Sequence, residues 1–252
     1  MSHQRVEAGA AGGWYARGWQ LFTKNPGMWI VLALLFGIVY FGLSLVPLVG
    51  GFAAALLSPA LLGGLVHGAG ELDHGRPLEV AHLFQAFREP GRASPMLMLG
   101  LVPLGAAILS GIVGAIALAG TAGAGMADGG HGPGMGMMAG GATVVLLVAI
   151  VIGLVAGALL LFAVPRVMLG LAGPLDAVQE SLRAVLDNLG AYIGFAVIYI
   201  ALAIVAAIPL ALGFLVLIPV MAGAVHAAHA QVFGAAPAAD TPGGDEDDAT
   251  VS

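Results

Sequence analysis

Residues Gly18 to Gly64 read GWQLFTKNPGMWIVLALLFGIVYFGLSLVPLVGGFAAALLSPALLGG, and this stretch decides the fold. An amphipathic lead-in ends at the Asn25-Pro26-Gly27 break. A run of about 20 apolar residues follows, the length that crosses a hydrocarbon core. Pro47 to Gly51 then turns the chain into a second apolar run, interrupted at Pro59. A degenerate copy recurs at Ser181 to Ala224, with Asn25, Trp29, Pro47, Phe52 and Pro59 answered by Asn188, Tyr192, Pro209, Phe214 and Pro219. Glycine and alanine matches carry little weight in this composition. The asparagine, the aromatics and the prolines carry the repeat.

Composition points the same way. Of 252 residues, 60% are hydrophobic and 9% charged, with mean hydropathy +1.00. Soluble domains carry about 25% charged residues. The polar sequence left over is too short for a separate solvated catalytic domain. Forty glycines suit close helix approach in lipid. The absence of cysteine excludes disulfides, thiolate metal sites and cysteine nucleophiles.

Spans are expected at 27–46, 52–70, 95–119, 142–165, 190–212 and 213–232. The fold class is therefore all-α: a polytopic membrane protein of six transmembrane helices, with parallel hairpin repeats and interfacial helices. Residues 1–13 read as a disordered N-terminus and 234–252 as a disordered acidic tail. Between them, 14–233 form the membrane domain, with repeat one at 18–66, a central hairpin at 95–165 and repeat two at 181–226. The first apolar run starts late and lacks a cleavage site, unlike a secretory signal.

All eight Lys and Arg residues fall before span one, after span two or after span four. The positive-inside rule then places both termini in the cytoplasm, and repeats that start on one side are parallel copies. Trp14, Trp19, Lys24, Asn25 and Trp29 are expected to anchor the chain at the membrane interface, Asn25 by capping the following helix. Pro59 and Pro219 are expected helix kinks. After Pro77, Leu78, Val80, Leu83, Phe84 and Phe87 form an amphipathic pattern. After Pro174, Leu175, Val178, Leu182 and Val185 do the same. Each reads as an interfacial helix.

The spans as drawn hold no Asp, Glu, Lys or Arg, although Arg92 and Arg166 sit close to span ends. Intramembrane ionisable groups mark proton and ion pathways, so ion-coupled transport of a polar solute is disfavoured. Transport of something apolar is not. No nucleophile–base pair, HExxH, GxSxG or phosphate-binding loop is present, so the chain reads as a non-enzyme without a cofactor. His226 and His229, spaced i, i+3, have metal-ligand spacing but no acid or third histidine near them in sequence, and read as interface side chains. In the Gly/Met-rich loop between spans three and four, His131, Met135, Met137 and Met138 offer soft ligands suited to Cu(I). Gly153 and Gly157 form a GxxxG that reads as helix packing. Partners are expected to be membrane lipids, with a membrane-protein partner or a second copy as alternatives, and not nucleic acid.

Gly18-Trp19, Leu21-Phe22, Asn25-Pro26, Trp29-Ile30, Pro47 to Gly50, Pro59, His82 to Phe84, Phe87, Ser181, Asn188, Leu212-Gly213 and Pro219 occur in a suggestive order. That order resembles an uncharacterised family of proteobacterial multi-pass integral membrane proteins, over about 25–90 and 175–233. The resemblance implies an inner-membrane protein with no assigned activity. More distantly, the paired hairpins are similar to membrane domains attached to some glycerophosphodiester phosphodiesterases. Three functions remain open on this basis: an organiser of lipid or of a partner protein, a carrier for a lipid-like substrate, or an outer-loop metal binder.

Overall fold

The computed structural model of the chain describes residues 3–47, 49–127 and 135–234, excepting the side chains of 123–127 and 135–139. α1 (Ala10–Lys24) stops at Asn25 because a residue before proline is pushed out of the helical region. The Asn25 side chain then accepts from the Met28 amide at 3.3 Å, capping α2 (Pro26–Ser44), whose first position is Pro26. α3 (Gly50–Asp73) returns. Gly50 sits against α2 so closely that a Cβ there would lie 1.8 Å from the Leu43 carbonyl oxygen, and only glycine closes this link.

A short 3-10 segment (Val80–Phe84) and α4 (Gln85–Arg88) lead to α5 (Ala93–Leu99) and α6 (Leu101–Ala127). α7 (Met135–Leu160) and α8 (Ala163–Met168) come back to the charged end. α9 (Pro174–Asp187), α10 (Leu189–Ala207) and α11 (Phe214–Phe233) complete the chain. No strand occurs among the described residues.

Among the described residues, six stretches are long and apolar enough to cross a bilayer: Pro26–Ser44, Gly50–Asp73, Ala93–Ala122, Gly140–Met168, Leu189–Ala207 and Phe214–Phe233. Large apolar side chains such as Phe41, Ile116, Leu118 and Ile204 stand exposed along α2, α6 and α10. In water this surface would be an aggregation liability; in a bilayer it is the lipid-facing coat. The chain is an all-α polytopic membrane protein. Its fifth span ends at Ala207, short of the expected 212, because the link to α11 takes Leu210 and Ala211 through positive φ of 51° and 65°. No helix passes through that region.

α3 and α11 pack together at the centre, and α2 lies against both. α10 rests on α11, whereas the α6–α7 hairpin joins the rest of the chain where α6 meets α3 and α7 meets α9. α1 runs antiparallel to the C-terminal half of α11. Trp14 Nε1 donates to Gln231 Oε1 at 2.6 Å, while Gly18, a turn later, meets Val220 and Ala224. A Cβ on Gly18 would lie 2.2 Å from the Val220 carbonyl oxygen.

That packing corrects two expectations. The face of α1 carrying Trp14, Tyr15 and Phe22 is turned into the protein rather than toward headgroups, because α11 offers small residues for it to cover. The N-terminus is also ordered from residue 3. The Asn188 side chain accepts from the Val6 amide at 2.7 Å and donates to the Gln4 carbonyl at 3.1 Å, and Asp187 pairs with His3 and Arg5. Asn188 thus does not cap α10 as Asn25 caps α2. The tail beyond Gly234 lies outside the described residues.

α9 also divides its expected apolar pattern between two faces. Its small residues Ala177, Ser181 and Ala184, with Val185, face the protein, and Leu175, Leu182 and Leu186 are exposed. Ser181 explains the choice. Its hydroxyl donates to the Ala158 carbonyl at 2.8 Å and accepts from the Phe162 amide at 3.1 Å, inserting into the helical ladder where α7 gives way to α8. In the segment after Pro77, Leu78, Leu83 and Ala86 are buried and Val80, Phe84 and Phe87 are exposed, so the residues expected in one apolar pattern are divided between two faces of a 3-10 turn and a short α-helix.

Candidate functional site

The α6–α7 hairpin stands off from the rest of the bundle, and the gap is a cavity of about 610 Å³. Phe36 and Tyr40 of α2, Pro59 and Leu62 of α3, Gly153 and Gly157 of α7, Tyr192 to Ile200 of α10 and Phe214 to Val225 of α11 line it. Its lining contains no Asp, Glu, Lys, Arg or His. Two of its hydroxyls are turned back into backbone: Ser58 donates to the Ala55 carbonyl at 2.8 Å, and Tyr192 to the Leu154 carbonyl across the chamber floor. The hydroxyls of Tyr40 and Tyr199 remain on an otherwise apolar wall. The volume falls within the roughly 300–1,000 Å³ of small-molecule sites.

Directly beyond Val66, which lines both spaces, lies a smaller crevice of about 150 Å³ at the charged end. His67, Glu71, His74 and Arg76 from the end of α3, and His226 and His229 from α11, surround it. Glu71 is held by Arg76, with Nη2 to Oε1 at 2.7 Å, and His67 Nε2 lies 3.8 Å from the same carboxylate. His226 Nε2 faces Asp73 Oδ2 at 3.3 Å, and Asp73 also takes Arg17 of α1. His82, behind His67 with ring centroids 5.5 Å apart, has its pKa lowered by burial first and by His67 second.

Arg166 follows Pro165 of the crevice lining in sequence but does not itself line the crevice. It is wholly buried although it belongs to the Gly140–Met168 span. Its Nε lies 2.5 Å from Glu180 Oε2 of α9, and its guanidinium sits 4.6 Å over the Phe233 ring. Phe233 stacks in turn on His229, with centroids 5.4 Å apart. The span-end position of Arg166 was visible in the sequence. Its partner was not, because Glu180 reaches it only once α9 folds back beneath α8.

The sequence-derived anchors fare unequally. Trp29 is fully buried, its Nε1 donating to the Leu21 carbonyl at 3.1 Å, so it locks α1 to α2 and does not reach headgroups. Trp14 is likewise internal. Of the three tryptophans only Trp19, at 52% exposure, faces outward. Lys24 reaches the Leu72 carbonyl at 3.4 Å. Pro59 lies in the chamber wall and Pro219 is buried inside α11 away from it.

His131 lies outside the described residues, as do the side chains of Met135, Met137 and Met138. No group of three metal-ligating His, Cys, Asp or Glu side chains occurs among the described residues. His226 and His229 do not converge on a shared point: one faces Asp73, the other Phe233. The Gly153/Gly157 pair is not a helix–helix seam either. Gly153 opens onto the chamber, and Gly157 receives the Tyr192 hydroxyl.

A model described as a family of unknown function, DUF7544, matches residues 76–243. The chain belongs to that family. The DUF7544 match takes in the crevice's α11 histidines and the α7 and α10 walls of the chamber, together with Arg166 and Glu180. No curated protein and no solved structure matches the chain.

Proposed function

We propose that this DUF7544 protein is a non-enzymatic membrane protein that takes a lipid-like molecule into the chamber between α2, α3, α7, α10 and α11. One observation carries the reading. A protein that only organised neighbours through small-residue faces can be packed solid, whereas this bundle holds about 610 Å³ of apolar space at the depth of its spans. At about 30 Å³ per water-sized group, that is room for about twenty such groups, the scale of one acyl chain. The chamber favours the carrier reading over the scaffold reading. It also fits the lack of intramembrane charge along its walls, which a polar or ion-coupled cargo would require.

The rest of the proposal concerns context. The confinement of every Lys and Arg to one end supports a bacterial inner-membrane location with both termini cytoplasmic. The recurrence of helix, asparagine, span, proline link and span at α1–α3 and α9–α11 supports two parallel copies of one unit.

Native mass spectrometry of the protein ejected from its own membrane tests the function. One lipid retained at unit stoichiometry through detergent exchange is expected. Gly153→Phe should remove it without lowering Tm, since a Cβ at Gly153 meets nothing within 4 Å and the ring would enter the chamber. A bare wild-type protein, or a lipid that survives Gly153→Phe, overturns the reading.

A further inference from the structure

We infer that the crevice beyond Val66 is a headgroup site for an uncharged, hydroxyl-bearing lipid of glycerol size, its chain lying in the apolar chamber. This inference rests on the chamber being a lipid site. It adds what the chamber alone does not say: which lipid.

Hydrogen-bond polarity comes first. The His74 Nδ1 lies 2.7 Å from the Gly70 carbonyl oxygen, an acceptor, so Nδ1 carries the proton and Nε2 is left as an acceptor. Asp73 likewise takes the Nε2 proton of His226, leaving Nδ1 to accept. That Nδ1 edge comes so close to α3 that a Cβ on Gly70 would lie 3.4 Å from it, so glycine lets the imidazole into the crevice. The His229 Nε2 is buried without a hydrogen-bond partner among the described residues. Glu71 adds a carboxylate. A crevice rich in acceptors calls for a ligand that donates, and hydroxyls do so.

Charge is second. The guanidinium in the crevice wall, Arg76, is held twice by Glu71, and those just behind it are engaged by carboxylates as well: Arg17 by Asp73, Arg166 by Glu180. A phosphate or a fatty carboxylate entering here would have to displace one of these acids. An ammonium headgroup would enter beside cations whose charge is already balanced. A neutral headgroup meets neither cost.

Size is third. The crevice, at about 150 Å³ against about 610 Å³ for the chamber, is the smaller space and has room for a group of glycerol size. Continuity is fourth. Val66 belongs to both spaces, and Val225 and Val164 of the chamber are followed in sequence by His226 and Pro165 of the crevice. The two spaces meet at Val66, and a single molecule filling both would pass that residue.

The test uses the full chain in detergent with four probes that share an eighteen-carbon chain: monooleoylglycerol, oleate, oleoyl-lysophosphatidylglycerol and octadecene. Binding is read by native mass spectrometry and by competition. Monooleoylglycerol is expected to bind at least tenfold tighter than the other three. His74→Leu and Gly70→Ala should each erase most of that preference while octadecene binding stays. His74 is exposed and Gly70→Ala adds one methyl group, so folding survives in at least one of them; Tm confirms which.

Equal binding of all four probes, or tighter binding of either anionic probe, overturns the headgroup site and leaves the chamber standing. Failure of every probe, octadecene included, overturns the chamber reading itself and the headgroup site with it. A monooleoylglycerol preference unchanged in both variants also refutes the crevice as its source.

Discussion

Replacing Glu180 should destabilise the protein more than replacing Arg166, although the two form one ion pair. Arg166 is wholly buried, with Nε 2.5 Å from Glu180 Oε2 and the guanidinium stacked over Phe233 at 4.6 Å. The Glu180 side chain keeps 26% of its surface exposed. Glu180→Gln therefore strands a guanidinium charge in the interior without its carboxylate, a change worth about 3–5 kcal/mol. Arg166→Met leaves a carboxylate that water can reach and keeps most of the stem volume, so its cost should be about 1–3 kcal/mol. The double variant Arg166→Met/Glu180→Leu removes both charges together. It should fall within about 1–2 kcal/mol of the parent, since buried pairs exchange for apolar ones at little loss. Equilibrium unfolding in mixed detergent micelles, followed by tryptophan fluorescence, reads all three. Additivity of the single changes to within about 0.5 kcal/mol, or a larger loss for Arg166→Met than for Glu180→Gln, would refute the reasoning.

Three further outcomes are expected. Gly18→Ala should cost about 1–3 kcal/mol in the same assay, because its Cβ would meet the Val220 carbonyl oxygen at 2.2 Å, whereas Gly13→Ala, in open space on the same helix, should stabilise by about 0.5–1 kcal/mol. Asp187 has its pKa lowered by the His3 hydrogen bond first and by Arg5 second. The pin it forms is complete above the unfolded carboxylate value of about 3.9 and is lost as pH falls through the depressed folded value. Hydrogen exchange of the Val6 amide, corrected for intrinsic rate, should lose protection over that window and hold steady above it. Burial lowers the pKa of His82, so protonation favours the unfolded chain. Stability should decline as pH drops below about 6.5, and His82→Gln should flatten that decline; an unchanged slope would exclude His82 as its source.

Several elements could be read before folding because their causes are local. Asn25-Pro26 breaks a helix wherever it occurs, and the Asn25 side chain does cap α2. Each of the six candidate spans overlaps an expected one, although α10 ends at Ala207 where a Pro-Leu-Ala link intervenes. His226 and His229 have no acid close to them in sequence, and Asp73, the acid that His226 finds, lies 153 residues away. The chamber aromatics Tyr192, Phe195 and Tyr199 do follow one helical face. Nothing in that spacing separates a face turned to a cavity from one turned to lipid.

The sequence by itself determined an all-α, six-span chain with its basic residues at one end, because apolar length, proline geometry and charge placement act within a few residues. Tertiary structure alone decided that α1 turns its tryptophan into α11, that Ser181 and Glu180 hold α9 beneath α8, and that α7 stands away from α10 to leave a chamber. The physical reason is that lipid tails and protein interiors are equally apolar. A leucine or tyrosine facing either one satisfies the same local pattern, and only the meeting of distant helices distinguishes them.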